Sequence, residues 1–106
     1  LRTRKGRKGA SHVQNNKKKK GFHITFENGY TVSVQFGPGN YCDNYNREID
    51  AEDEICGKEG SLTAECAVWT KDRPLICHPD FGGDSVSSHS SPADVLRLLN
   101  WAASQR

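Results

Sequence analysis

Residues 22–36 constrain the fold more than any other stretch. Phe22, Ile24 and Phe26 alternate with His23, Thr25 and Glu27. After Asn28-Gly29, Tyr30, Val32, Val34 and Phe36 alternate with Thr31, Ser33 and Gln35. Successive side chains of a strand point to opposite faces, so each run has an apolar and a polar side. Asn-Gly between two such runs marks a hairpin, because a type I′ turn needs positive φ at both central residues. The pattern predicts two antiparallel strands joined by a type I′ turn. Thr25, Glu27, Thr31, Ser33 and Gln35 are expected on the water-facing side.

Gly37-Pro38-Gly39-Asn40 ends the second strand by turn chemistry. Residues 43–60 are polar and acidic and read as a long loop. Alternation resumes over Ser61 to Thr70, with Leu62, Ala64, Cys66 and Val68 on one side and Thr63, Glu65, Ala67 and Trp69 on the other. Lys71-Asp72-Arg73-Pro74 reads as a turn and Leu75 to His78 as a short edge strand, completing a second hairpin. Pro79 to Ser90 reads as a loop rich in Gly and Ser. Trp69 is expected to pack on the outer sheet face, although Trp69 and Tyr41 are also of a type favoured as binding anchors.

The last element is a helix with a marked start. Ser91-Pro92-Ala93-Asp94 places an N-cap, a proline at the first helical position and an acid at the third, close to a capping box. Val95, Leu98, Leu99 and Ala102 follow at helical spacing, with Leu96 and Trp101 widening the apolar face. A helix is predicted over about 92–103, lying across the buried face of the sheet. The element order gives an α+β domain: an antiparallel sheet of about four strands in two hairpins with one C-terminal helix packed on it.

Charge divides the chain. Residues 1–20 carry nine cations and no acid, namely Arg2, Arg4, Lys5, Arg7, Lys8 and Lys17, Lys18, Lys19 and Lys20. Residues 21–106 carry six Lys/Arg against thirteen Asp/Glu, a net charge of −7. The first segment holds almost nothing apolar beyond Leu1 and Val13, so burial cannot offset its ordering entropy. It reads as a disordered basic arm (1–20) preceding a single α+β domain (21–106).

No stretch approaches the roughly 18 apolar residues of a membrane span, and no apolar core of a secretory signal follows the charged start. The chain contains no methionine and begins at Leu1, so a longer reading frame, processing or trimming is expected. The four cysteines, Cys42, Cys56, Cys66 and Cys77, are separated by 13, 9 and 10 residues without a C-x-x-C, which argues against zinc-ribbon and thioredoxin-like sites. Reduced thiols in a cytoplasmic domain are the default expectation. One or two disulfides in an exported domain are the alternative, with three possible pairings. Cys66 and Cys77 are expected to fill small core positions.

Candidate chemistry is sparse. Cys77 and His78, with His89 further on, have metal-ligand types, but neighbours on a strand point to opposite faces. Cys42, beside Gly39-Asn40, is the best thiol nucleophile, yet an acidic body favours its protonated form. Asp43 to Glu54 is rich in oxygen ligands, but Tyr45, Arg47 and Glu48 fall where an EF-hand needs acids and a glycine. No phosphate loop, dinucleotide fingerprint, nucleophile elbow or zinc-protease motif occurs. The expectation is a non-enzyme with no cofactor and no metal.

The arm has three readings: phosphate contact with nucleic acid, docking on an acidic protein surface, and a solubilising linker. It contains no aromatic residue, so base stacking by the arm is not expected. A rival binding mode uses the body, whose acidic loop (Glu48, Asp50, Glu52, Asp53) would face a basic protein as a nucleic-acid mimic.

The strings Gly21-Phe22-His23-Ile24-Thr25-Phe26, Asn28-Gly29, Thr31 to Gly37 and Gly39-Asn40-Tyr41-Cys42 resemble a group of small uncharacterised proteins of bacteriophage and prophage genomes. The likeness spans 22 residues, from Gly21 to Cys42. A late Ala-Val-Trp strand and the Ser-Pro-x-Asp-Val-Leu helix start are similar in layout. The resemblance implies a small accessory protein acting on another macromolecule in the cytoplasm of a host cell, and it brings no catalytic residue with it.

Overall fold

Five strands lie in the sheet in the order in which they occur in the chain: β1 (His12–Asn15), β2 (Gly21–Thr25), β3 (Thr31–Gln35), β4 (Ala64–Trp69) and β5 (Val86–Ser90). All four pairings are antiparallel, and the helix α1 (Pro92–Ser104) covers one face. The structure, a computed structural model, describes residues 11–15, 20–47, 60–81 and 83–106. The architecture is the expected α+β arrangement, with five strands rather than about four among the described residues.

The first hairpin forms as the alternation predicts, but its turn does not. Phe22 pairs with Val34, Ile24 with Val32 and Thr25 with Thr31. Phe26 N–H then donates to Tyr30 O (2.8 Å) and Gly29 N–H to Phe26 O (2.9 Å), enclosing a loop of Glu27, Asn28 and Gly29. Gly29 has φ +93°, whereas Asn28 is not among the positive-φ residues, so a type I′ turn is excluded. This is the three-residue loop in which a glycine takes the left-handed position. Directly opposed residues share a face, so pairing Phe26 with Tyr30 keeps both rings on the core side.

Asn28 uses its side chain for a distant purpose. Its Nδ2 donates to Ala102 O (2.8 Å) and Gln105 O (2.7 Å), while its Oδ1 accepts from Tyr30 N–H (3.0 Å). The final carbonyls of a helix have no partner within it. Here the hairpin loop supplies two donors to them, locking the end of α1 to the end of the sheet.

The core is the apolar side of β3 and β4 beneath the helix. Val32, Val34, Ala64, Cys66 and Val68 meet Ile76, Leu98 and Ala102, with Phe22, Phe26, Tyr30, Val95, Leu99 and Trp101 packed around them. The helix starts as predicted. Ser91 Oγ accepts from Asp94 N–H (3.2 Å), and Asp94 Oδ2 accepts from Ser91 N–H (3.0 Å). These bonds, the backbone one foremost, and then the nearby Arg97, hold the Asp94 carboxyl below its ordinary value of 3.8. A depressed folded-state value contributes stability above the unfolded value and loses it as pH falls through the folded one. Asp94→Asn should therefore lower the urea midpoint at pH 7, and the gap from wild type should close below pH ~3.9. A gap that stays constant into acid would refute this.

The expected wet face is closed over β3. Thr31, Ser33 and Gln35 are buried, although sequence placed them in water. His23 on β2 and Trp69 on β4 meet edge to face across β3, with centroids 5.1 Å apart, and shield the small polar side chains beneath. Those side chains satisfy one another: Thr31 bonds to Thr25 (2.9 Å) and Gln35 Nε2 donates to Ser33 Oγ (3.1 Å). Gly21 makes room for Gln35, because a Cβ there would lie 2.5 Å from Gln35 Oε1.

Three strand assignments change. Residues 75–78 are not a strand, since prolines at 74 and 79 bracket too short a run for a ladder. One bond, Ile76 N–H to Val68 O (2.9 Å), holds the segment to β4. Ile76 and His78 point inward while Leu75 and Cys77 are exposed, so Cys77 is not a core residue. The partner of β4 is instead β5, within the stretch read as loop. Its Val-Ser-Ser-His-Ser sequence suits an edge strand, where polar side chains face water. β1 lies within the stretch read as a basic arm. Pairing with β2 satisfies backbone groups without requiring apolar side chains, which explains why burial arithmetic missed it.

Candidate functional site

A polar cleft of about 360 Å³ opens between β5, the segment 78–81 and the first half of α1. Each wall has a local cause. His78 is carried inward by the alternation after Pro74, and its side chain is 9% exposed. Its ring stands edge to face on Trp101 (4.5 Å between centroids) and tilts against Phe81 (5.4 Å). Nδ1 accepts the Asp80 N–H at 3.0 Å, so the neutral ring carries its proton on Nε2. Pro79–Phe81 forms a single 3₁₀ turn, and Phe81 N–H donates to His78 O (2.9 Å), which fixes that geometry.

The opposite wall comes from a bulge in β5. Ser90 pairs with Ala64 and Ser87 with Cys66, so two residues of β5 oppose Glu65 alone. His89 takes up the excess at φ +49°, a region few non-glycine residues occupy. The bulge turns Ser87 and Ser90 toward each other, and their hydroxyls share a hydrogen bond. Ser90 also bonds Cys66, whose thiol burial pushes up to about 11, leaving it protonated.

The charges of the cleft are spent on one another. Arg97 Nη2 pairs with Asp94 Oδ1, and its Nε lies 4.0 Å from Asp80 Oδ2. Among the described residues neither serine hydroxyl is hydrogen-bonded to a histidine or a carboxylate, so no base is in place to activate one. No group of three or more His, Cys, Asp or Glu side chains among the described residues is arranged to hold a metal ion. Cys77 and His78 point to opposite sides, as their adjacency implied.

No family model, curated protein or solved structure matches the chain.

The sequence-predicted site residues fall mostly outside the described residues: Arg2, Arg4, Lys5, Arg7, Lys8, Lys17, Lys18 and Lys19 in the arm, and Glu48, Asp50, Glu52 and Asp53 in the acidic loop. Lys20 is described. Its carbonyl accepts the Phe36 N–H at 2.8 Å, where β2 and β3 meet. Cys42, the best thiol by sequence, is 1% exposed with Sγ 3.8 Å from Gly37 O. Trp69 packs against His23 as expected of an outer-face residue. The residues of the cleft, His78, Asp80, Ser87, Ser90 and Arg97, were not grouped by sequence, because three elements bring them together and no fixed spacing relates them. No helix among the described residues is long and apolar enough to cross a membrane.

Proposed function

We propose that the chain is a non-catalytic binding protein that contacts nucleic-acid phosphates along the β1 edge of its sheet. The observation that carries this is the pairing of His12–Asn15 with Phe22–Thr25, which ties a strand of the basic segment into the fold. Five cations precede that strand, four follow it, and His12, Val13 and Gln14 on it are exposed. A body of charge −7 repels phosphate, so a polyanion is accepted through the basic segment to which β1 belongs. The cleft supports a non-catalytic reading, since its ions pair with one another and the Cys66 thiol behind Ser90 is buried and held protonated. The likeness of residues 21–42 to phage proteins supports an accessory role in the cytoplasm of a host cell.

The test keeps the strand and removes the charge. Lys17, Lys18, Lys19 and Lys20 are replaced together by glutamine in the full chain, and binding to a labelled DNA duplex is measured across a salt series. Each phosphate contact contributes about 0.9 to the slope of log affinity against log salt. The wild-type slope should be steep, and the variant should lose up to about 3.6 of it, with a large fall in affinity at low salt. Equal slopes and affinities would overturn the proposal. Deletion of residues 1–20 is the poorer test, because it also strips β1 from the sheet.

A further inference from the structure

Tyr41 and Tyr45 are exposed yet firmly mounted. Their rings stack at 5.8 Å between centroids and 13° between planes, with Tyr41 53% and Tyr45 46% exposed. The alternate residues anchor the loop. Cys42 and Asn44 are buried, and Asn44 Nδ2 donates to Phe36 O at 2.7 Å. The backbone of both tyrosines is held as well: His89 N–H donates to Tyr41 O (2.8 Å), Gly39 N–H to Tyr45 O (3.0 Å) and Tyr45 N–H to Cys42 O (3.0 Å). The β5 bulge thus has a second consequence, since it turns the His89 N–H out to the tyrosine loop. A rigid aromatic pair has lost its freedom before any partner arrives, which favours binding.

The surroundings select the partner. Asp43, between the two rings in sequence, is exposed, and its carboxylate accepts from Thr63 Oγ1 at 2.9 Å. Glu65 accepts from Asn40 Nδ2 at 3.1 Å. Arg47 donates to Asn44 Oδ1 at 3.5 Å, and residues 21–106 together carry a net charge of −7. The face of a phenol ring is the negative end of its quadrupole and attracts Arg or Lys. The rings stand too close to admit a base between them, so a ligand lies on an outer face. We propose that the Tyr41–Tyr45 face docks a basic polypeptide segment, with an arginine or lysine side chain laid over an open ring. Nucleic acid is disfavoured here, because its phosphates would approach Asp43 and Glu65.

The probe is a fluorescein-labelled peptide of alternating arginine and glycine, titrated with the full chain and followed by anisotropy. A labelled oligothymidylate is titrated in parallel. Replacing both rings by leucine (Tyr41→Leu with Tyr45→Leu) keeps apolar bulk but removes the π faces, and should weaken the peptide about tenfold. Replacing both by phenylalanine keeps the faces and should stay within about twofold of wild type. Far-UV spectra and urea midpoints establish that each pair folds. Peptide affinity unchanged in the leucine pair, or equally weakened in the phenylalanine pair, would overturn the proposal. A loss confined to the oligothymidylate would also overturn it and assign the rings to base stacking.

Discussion

Asn28→Asp is expected to destabilise the protein by about 3 kcal/mol, although Asp-Gly satisfies hairpin turns as well as Asn-Gly does. The loss comes from the far side of the molecule. Asn28 Nδ2 donates to the carbonyls of Ala102 and Gln105 at 2.8 and 2.7 Å. A carboxylate donates nothing, and it would bring negative charge to the negative pole of α1. Each lost hydrogen bond costs about 1 kcal/mol, and an unfavourable charge at a helix end adds up to about 1 kcal/mol. Asn28→Ala removes the same donors without the charge but also removes the acceptor of the Tyr30 N–H, so it should cost about as much as the aspartate. Urea titration monitored by far-UV circular dichroism should separate both variants from wild type by their midpoints. If the aspartate variant matches wild type, the tie between loop and helix does not contribute to stability.

The second large effect is at Leu98. It is 5% exposed at the centre of the α1–sheet contact, whereas Leu96, two residues earlier, is 59% exposed. Leu98→Ala should cost about 3 kcal/mol, the sum of lost transfer energy and the cavity left behind. Leu96→Ala should stay within ~0.5 kcal/mol of wild type, as surface substitutions do. Equal effects at the two positions would mean that the helix is rotated about its axis relative to the packing described.

The helix and the first hairpin were legible because their signals are local. A capping box and an apolar repeat at helical spacing lie within a dozen residues, and both occur where predicted. The turn was legible too, but through parity. A two-residue loop at Asn28-Gly29 would set Phe26 opposite Thr31, an apolar residue against a polar one. Only an odd loop matches Phe26 to Tyr30. The Asn-Gly signature outweighed that check because it ignores what else Asn28 bonds.

Other features were hidden because their causes lie far apart in the chain. Edge strands such as β1 and β5 need little apolar character, so periodicity marks neither of them. Ser33 and Gln35 look water-facing until His23 and Trp69, from two different strands, close over them. The cleft has no motif, because Pro79–Phe81, a bulge and a helix meet there only after folding. Tyr41 was noticed as a possible anchor, but its pairing with Tyr45 depends on Cys42 and Asn44 turning inward.

The Asn28–Ala102 bond joins positions 74 residues apart, while every strand pairs with its neighbour in the chain. During synthesis the sheet can therefore assemble as it leaves the ribosome, strand after strand. Its apolar side lacks its helical cover until residues 92–104 emerge, since Pro92–Ser104 supplies the lid. For that interval Val32, Val34 and Val68 face water on a nascent sheet with open edges, the state most prone to aggregate or to recruit a chaperone. Chains stalled or cleaved before Ser91 should be cleared rather than persist as a folded sheet.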